Sequence, residues 1–324
     1  MTRLGYQIPN FTLPASAGGN IFRNVVEQAK AAEAAGFDRV FLMDHFYQLP
    51  GIGAPEEPML ECYSMLAAIA QHTSKVRLSA LVTGNTYRNP TLLAKTITAL
   101  DHVSDGRASL GIGSGWFEHE HQALGYEFGT FTDRFEKLEE ALQIIVPMLR
   151  GERVTFSGKY YQVNDAVNSP APLSRIPVMI GGSGEKKTLR MVAQYADESN
   201  LSSGSIDEIP RKLDALAAHC ERLGRDRSEI KVTKLTMVCL APTMEEADAD
   251  LRELAAVKGF SDEVVEMVKG ILIYGDPDTV GEQLVAMMRT GIDGMTINLA
   301  VNGHNTDRIA LLGQVASKAI DEAS

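Results

Sequence analysis

Cysteine is scarce in this chain, and the few cysteines exclude two classes of structure. Three occur among 324 residues, and Cys62, Cys220 and Cys239 lie far apart, without the spacing of a metal site. An odd, sparse set does not build the disulfide framework on which small secreted proteins depend. We therefore expect reduced thiols and a cytoplasmic protein.

Long apolar runs and a surplus of positive charge are also missing. The N-terminus lacks the apolar core of a signal peptide, and no apolar run is long enough to span a bilayer. The chain has 31 lysines and arginines against 42 aspartates and glutamates, a formal net charge of -11. Because nucleic-acid binding requires a basic face, we expect neither nucleic acid nor membrane as a partner.

What the chain has in abundance is alternation of apolar, strand-like runs with helical segments. Eight strand signals occur, at residues 4–8, 37–43, 76–83, 108–113, 178–182, 198–201, 232–240 and 295–299. This order predicts an α/β fold, a (β/α)8 TIM barrel that forms one domain over residues 1–324. The alternative is a doubly wound open sheet. It would require a G-x-G-x-x-G turn after strand one, where Pro9-Asn10-Phe11-Thr12 stands instead.

One segment interrupts the alternation. Residues 152–163 alternate like a short hairpin, and residues 164–177 are rich in Pro, Ser and Asn. Strands and helices resume directly afterwards. We therefore interpret residues 151–177 as an insertion between strands four and five rather than as a domain boundary.

The ends of the strands carry the candidate site, because barrel enzymes place their active sites there. Strand four is the most informative: it ends in three alternating glycines and continues into the only tryptophan. Glycine at such an end lets a flat or charged ligand group approach the backbone. The candidates are Asp44, His45, Thr83, Gly84, Asn85, Gly115, Trp116, Gly181, Gly182, Ser183 and Asn200.

Two strand ends indicate specific chemistry. Residues 181–184 precede a helix, and the free backbone N–H groups at a helix start favour a phosphate. A tight strand-to-helix turn has the same composition, and the spacing is not that of a Walker loop. His45 can donate a hydrogen bond or shuttle a proton near neutral pH, the alternative being a histidine that its neighbour holds in place.

A pair of histidines follows strand four but does not predict a metal site. His119 and His121 have no further His or Cys near other strand ends to complete a ligand set. The neighbouring Glu118 and Glu120 are compatible with acids of the pocket and equally with charges at a helix start.

Five segments together resemble the bacterial luciferase-like flavin oxidoreductases and occur in that family's order. They are residues 37–45, 87–90, 100–107, 111–116 and 180–184. The resemblance covers nearly the whole chain, and it is strongest to members that use the deazaflavin coenzyme F420. Relatives that use FMN share the barrel and similar motifs, so FMN is the alternative cofactor.

The resemblance implies roles for the strand-end residues. His45 matches the histidine beside the deazaflavin ring. Residues 84–85 match a strand-three bulge, often with a non-prolyl cis peptide bond, that supports the ring. Residues 181–183 match the cradle for the cofactor phosphate, and residues 115–116 match the turn near the ring. Some sugar-oxidising and alcohol-oxidising relatives have Glu in place of Trp116, which leaves the substrate class open.

We therefore expect an F420-dependent oxidoreductase, a homodimer that transfers hydride between the deazaflavin and a small organic substrate. Three catalytic roles follow: His45 stabilises charge or shuttles a proton, Trp116 walls the substrate space, and Glu120 or Glu118 orients the substrate. The alternatives are an FMNH2-dependent monooxygenase and a cofactor-binding barrel without turnover. The presence of His45, Gly84 and Gly181 argues against the last.

Overall fold

The computed structural model describes residues 3–14, 19–202 and 204–323, in which strands and helices alternate from end to end. The strands are β1 (Leu4–Ile8), β2 (Arg39–Leu42), β3 (Arg77–Ala80), β4 (Thr83–Gly84), β5 (Leu110–Gly113), β6 (Val154–Ser157), β7 (Gln162–Ala166), β8 (Val178–Gly181), β9 (Glu198–Leu201), β10 (Lys231–Leu240), β11 (Ile273–Gly275) and β12 (Gly294–Asn298). The helices are α1 (Ile21–Ala34), α2 (Cys62–Ala70), α3 (Pro90–Val103), α4 (Glu118–Leu124), α5 (Phe131–Leu149), α6 (Thr188–Tyr195), α7 (Ile209–Leu223), α8 (Met244–Lys258), α9 (Asp262–Ile271), α10 (Pro277–Met288) and α11 (Thr306–Ala323).

Parallel pairing closes these strands into a barrel. The hydrogen-bonded order is β3-β2-β1-β12-β10-β9-β8-β5-β4, and β11 pairs with β10 outside this path. β3 and β4 are two parts of one strand position, because β3 pairs with β2, β4 pairs with β5, and a parallel bridge joins Leu78 to Ala108. The expected (β/α)8 TIM barrel is confirmed. The open-sheet alternative is wrong, since the two ends of the strand order meet.

The core lies between the barrel wall and the surrounding helices. All residues of β1 and β12 are buried, as expected for parallel strands that are covered on both faces. At the N-terminal ends of the strands, a buried ion pair fills the barrel axis. Arg39 donates from its two terminal nitrogens to the carboxylate of Glu198 at 3.0 and 2.9 Å. The opposite end of the barrel remains for the site.

Two helices, α1 and α10, begin at side chains that cap them. Asn20 accepts the N–H of Arg23 at 2.8 Å, and Asp276 accepts the N–H of Thr279 at 2.9 Å, with Pro277 at the first helical position. Both side chains satisfy an N–H that has no partner within its helix.

Two elements escaped the sequence analysis, and one predicted strand is broken. The missed elements are short: α4 and the three-residue β11. The strand expected over residues 76–83 is interrupted at Leu81-Val82, whose peptide bond is cis. The non-prolyl cis bond that the resemblance placed in the bulge at residues 84–85 thus lies three residues earlier.

The interruption after α5 is a small sheet of its own. β6 and β7 pair antiparallel in a two-stranded sheet separate from the barrel, with a register shift between Val154 and Phe156. Over the three described ranges, no helix has both the length and the apolar character that crossing a membrane requires.

Candidate active site

A cavity of about 1210 Å³ opens at the C-terminal ends of the barrel strands. All eight strand positions contribute to its lining, which is where the sequence analysis located the candidate residues. The lining includes Gln7, Asp44, His45, Val82, Thr83, Gly84, Gly113, Gly115, Trp116, Gly181, Gly182, Ser183, Asn200, Lys234 and Asn298.

His45 is held by the buried carboxylate of Glu120. Nδ1 of His45 lies 2.9 Å from Oε2 of Glu120, to which the Tyr87 hydroxyl also donates at 2.5 Å. The other carboxylate oxygen accepts the N–H groups of Phe46 and Tyr47, the latter at 2.9 Å. The carboxylate thus has four donors around it.

The charge of Glu120 fixes the proton on His45. Burial acts to raise the pKa of Glu120, but the hydrogen bonds from His45, Tyr87 and the Phe46 N–H outweigh it, so the pKa lies below its ordinary value. An ionised carboxylate only accepts hydrogen bonds, so Nδ1 of His45 carries the proton. Nε2 is then the ring nitrogen that remains for the cavity, which His45 lines.

Glu120 does not reach the substrate space, contrary to the expectation that it orients the substrate. Its side chain is 0% exposed, and it is not part of the cavity lining. The reason is α4, whose first turn directs Glu120 inward behind His45. Glu118 of the same turn is exposed and accepts a hydrogen bond from Gln122 at 3.0 Å.

Asp44 ties the end of β2 to the strand-three bulge. Its Oδ2 accepts a hydrogen bond from the N–H of Gly84 at 3.1 Å and forms an ion pair with Arg88. Arg88 also donates to Glu61 at 2.8 Å. Burial raises the pKa of the Asp44 carboxyl, and the Arg88 charge opposes this rise. The carboxylate lines the cavity but has partners inside the protein.

Glycines of strands four and five make room for the protein itself, a role that the sequence analysis did not assign to them. A Cβ on Gly111 would lie 2.1 Å from the carbonyl oxygen of Ala80. A Cβ on Gly113 or on Gly181 would lie 2.8 or 2.7 Å from a methyl group of Val82. These glycines therefore seat the Val82 side chain between β5 and β8, where it lines the cavity.

Two neighbouring glycines, Gly84 and Gly115, also lie close to side chains of the protein. A Cβ on Gly84 would lie 2.5 Å from the ring of Tyr87, and one on Gly115 would lie 2.6 Å from Oγ1 of Thr86. Gly115 also has φ +76°, a left-handed conformation that favours glycine. Asn85 was expected in the cofactor site, but it is buried outside the cavity lining, with Nδ2 3.5 Å from the Tyr161 hydroxyl.

The turn after β8 departs from the expected cradle of free N–H groups. The N–H of Gly182 donates to the carbonyl of Asn200 at 2.9 Å, and α6 begins only at Thr188. What sequence reasoning missed is Lys212, whose ammonium lies 3.4 Å from the Ser183 carbonyl oxygen and pairs with Glu208 at 3.0 Å. No motif marks Lys212, because α7 brings it to the turn from far along the chain.

Two buried amides at the cavity floor have an acceptor without a donor. Asn200 donates to Thr233 at 2.9 Å and Thr296 at 3.3 Å, and Asn298 donates to Gln7 at 2.9 Å. The Oδ1 atoms of both asparagines have no hydrogen-bond partner. A buried acceptor left unsatisfied costs about 1–3 kcal/mol. These atoms therefore mark positions at which an N–H of a ligand would be stabilised.

The histidines after strand four have structural partners. His121 is buried, with Nε2 2.6 Å from Oγ1 of Thr86 and Nδ1 2.7 Å from the Phe117 carbonyl oxygen. Burial lowers the pKa of His121. His119 packs against Tyr47 and Phe117. Among the residues that the structure covers, no three His, Cys, Asp or Glu side chains are grouped to hold a metal ion.

Trp116 stands at the mouth of the cavity. It is 59% exposed, stacks on Phe117 at 5.3 Å between ring centroids, and meets His45 edge-on at 5.8 Å. Phe131 is another exposed aromatic residue of the lining.

Similarity to known proteins agrees with the geometry. A family model described as luciferase-like monooxygenase matches residues 2–263. An F420-dependent glucose-6-phosphate dehydrogenase of Microbacterium testaceum is 33% identical over 221 residues, which are 67% of this chain and 64% of that protein. The match thus spans less than two thirds of that relative's length.

Two further comparisons extend over most of the chain. An FMNH(2)-dependent dimethylsulfone monooxygenase of Pseudomonas fluorescens is 25% identical over 316 residues, 88% of this chain and 84% of that one. The solved structure of an F420-dependent secondary alcohol dehydrogenase with an F420-acetone adduct has a TM-score of 0.80 and 20% identity, and covers 98% of this chain and 99% of that chain. At this identity, the likeness shows a shared fold.

Proposed function

The chain belongs to the luciferase-like monooxygenase family, and from this premise we propose that it is an oxidoreductase that uses coenzyme F420 to transfer hydride to or from a small organic substrate. The observation that carries the proposal is the cavity-lining His45, whose Nδ1 is held by the buried Glu120. The similarity to an F420-dependent dehydrogenase supports F420 as the cofactor.

The polar groups left open in the cavity fit a deazaflavin. The unpartnered Oδ1 atoms of Asn200 and Asn298 suit the N–H of its pyrimidine portion. The Val82 side chain offers an apolar support for a flat ring. The turn at Ser183, with the ammonium of Lys212 beside it, suits the phosphate.

When bound, F420 supplies the ring that accepts or donates a hydride. His45 handles the proton that accompanies this transfer, with Nε2 as the atom that accepts it from or returns it to a substrate hydroxyl. The ionised Glu120 keeps the Nδ1 proton in place and stabilises the imidazolium. Trp116 and Phe131 wall the substrate and exclude water.

The second candidate function is that of an FMNH2-dependent monooxygenase. It is supported by the dimethylsulfone monooxygenase similarity, which extends over 88% of this chain. It requires reaction with oxygen at the flavin, which a 5-deazaflavin performs poorly.

Turnover assays separate the two candidates. Under anaerobic conditions, we expect purified protein to bleach the visible absorbance of oxidised F420 with a member of a panel of secondary alcohols and sugar phosphates. A parallel assay follows oxygen consumption with FMNH2 and organosulfur substrates. Oxygen-dependent turnover with FMNH2, without F420 bleaching by any panel member, would overturn the F420 proposal. His45→Ala protein is the control for chemistry at this site.

We also propose that the enzyme is a cytoplasmic homodimer. The three cysteines are buried free thiols, which suits a reducing compartment. Large exposed apolar side chains lie on α3 and on the loop after β7. Lys95 of α3 connects the two segments by donating to the Ser169 carbonyl at 2.6 Å. The exposed side chains are Leu92, Val103, Val167 and Leu173. Exposed apolar side chains on neighbouring segments suit a subunit interface, and light scattering tests for twice the chain mass.

A further inference from the structure

The cavity lining beside β10 includes a lysine, Lys234. Thr233 of β10 accepts a hydrogen bond from Asn200 inside the barrel, so the adjacent Lys234 starts from the opposite face of the strand, towards the helices. The same lining includes Ile206, Ile209, Thr236, Gln283 and Met287, and we refer to these residues together with Lys234 as the branch.

We propose that this branch is a second anion-binding subsite, beside the turn at Ser183 to which the proposed function assigns the cofactor phosphate, and that Lys234 binds a carboxylate or phosphate group there. The ligand carries this group either on the acidic tail of the cofactor or on the substrate. The assignment of the group to cofactor or substrate rests on the proposed function, whereas the anion site itself does not.

The charge environment of Lys234 is the first argument. Its ammonium donates to the carbonyl of Leu235 at 3.0 Å, and over the described part of the chain no carboxylate lies within 4 Å of it. Burial lowers the pKa of Lys234, and the neighbouring charge of Lys212 lowers it further. A single carbonyl also leaves two of the three ammonium hydrogens to be satisfied.

Three other lysines each have a carboxylate partner. Lys258 pairs with Glu57, and Lys269 pairs with Asp248 at 2.7 Å. Lys231, on the same strand as Lys234, pairs with Asp293 at 2.9 Å. Since burial of an unpaired charge is costly, a partner for Lys234 is expected from outside the protein.

The position near the turn at Ser183 is the second argument. Ser183 and Lys234 line the same cavity, and Lys212 lies 3.4 Å from the Ser183 carbonyl oxygen. The charge of Lys212 is balanced by Glu208, whereas that of Lys234 is not. A ligand with two anionic groups, or two ligands with one each, therefore fits the turn and the branch together.

Inorganic pyrophosphate tests the anion site without any cofactor. We expect Lys234→Met to weaken pyrophosphate binding at least about tenfold by isothermal titration, because a charge-assisted contact is lost. Lys231→Met is the matched control, since it removes a lysine of the same strand that does not line the cavity. Unchanged pyrophosphate affinity in folded Lys234→Met protein would overturn the proposal.

Two cofactor probes then identify the source of the anion. F420 and its ribityl deazaflavin fragment, which lacks the phosphate and the acidic tail, are titrated by fluorescence. Weaker binding of F420 alone to Lys234→Met protein assigns the subsite to the cofactor tail. Unchanged binding of both, with weaker pyrophosphate binding to F420-loaded protein, assigns it to the substrate. If wild type does not bind F420, the proposed function fails while the pyrophosphate result still decides the anion site.

Discussion

The two halves of the site, each formed by residues of the cavity lining and by residues that hold them in place, differ in how far the protein satisfies its own polar groups. In the histidine half, formed by Asp44, His45, Tyr87, Arg88 and Glu120, the carboxylate of Glu120 has four donors and that of Asp44 has two partners. In the lysine half, formed by Ser183, Asn200, Lys212, Lys234 and Asn298, two amide oxygens lack donors and one ammonium lacks a carboxylate.

This difference indicates that the two halves of the site have different roles. The histidine half is a rigid frame that fixes one imidazole before any ligand arrives, as catalytic groups require. The lysine half has groups that a ligand would complete, and such unsatisfied groups carry a cost in stability. Substitutions in the histidine half should therefore lower stability, and those in the lysine half should lower affinity.

The largest effect is expected for Asp44→Ala. Removal of this carboxylate leaves Arg88 partly buried without its closest counter-charge, and breaking such a pair costs roughly 3 kcal/mol or more. Urea denaturation should show this loss in the free energy of unfolding. The double variant Asp44→Ala/Arg88→Met should recover part of this loss of stability. A loss of less than about 1 kcal/mol in Asp44→Ala would contradict the view that the histidine half is a rigid frame.

Glu120→Gln should affect turnover and the pH dependence of stability. We expect a loss of about 1–3 kcal/mol at neutral pH, because donors lose an ionised acceptor. The folded pKa of Glu120 is lowered, so its contribution is complete above the unfolded pKa of about 4.3 and disappears as the pH falls through the folded pKa. The difference between wild type and variant in urea denaturation should therefore shrink in acid.

The exposed Glu118→Gln, two residues earlier in α4, is the control for Glu120→Gln. It should change neither stability nor turnover measurably. If Glu120→Gln keeps wild-type turnover, the proton on His45 is not governed by Glu120.

Ser183→Asp should act on affinity alone. The new carboxylate would repel an anion at the turn, so we expect F420 binding to weaken at least about tenfold while the melting temperature stays close to that of wild type. Gly182 is a poorer position, because its φ of +126° strains any other residue. Unchanged affinity in Ser183→Asp, with Ser183→Ala as control, would show that phosphate binds elsewhere.

Trp116→Ala should have the smallest effect. At 59% exposure, the ring contributes little to stability, and a change within about 0.5 kcal/mol is expected. The KM for the substrate should rise while the Kd for F420 stays constant. A weaker affinity for F420 in the binding measurement would show that Trp116 contacts the cofactor and not only the substrate.

The sequence was sufficient for what depends on local pattern. The alternation of strands and helices predicted the barrel, and the strand ends located Asp44, His45 and Asn200 at one cavity. Capping at Asn20 and Asp276 can likewise be predicted from the sequence, because a capping residue and its helix are adjacent in the chain.

Contacts between distant segments were beyond the sequence. The glycines of β5 and β8 were interpreted only as room for a ligand, because their spacing in the sequence does not show that the Val82 side chain packs against them. Glu120 was taken to contact the substrate because its direction depends on α4, which periodicity did not show. Lys234 was missed because a lysine in a strand gives no sign of whether a carboxylate lies opposite it.

Equilibrium binding of F420 and FMN to the purified apo-protein, side by side, tests the central claim most directly. We expect F420 to bind more tightly than FMN, because the cations of the lysine half suit the acidic tail that F420 has and FMN lacks. FMN binding at least about tenfold tighter, equivalent to roughly 1.4 kcal/mol, would contradict it and favour the monooxygenase.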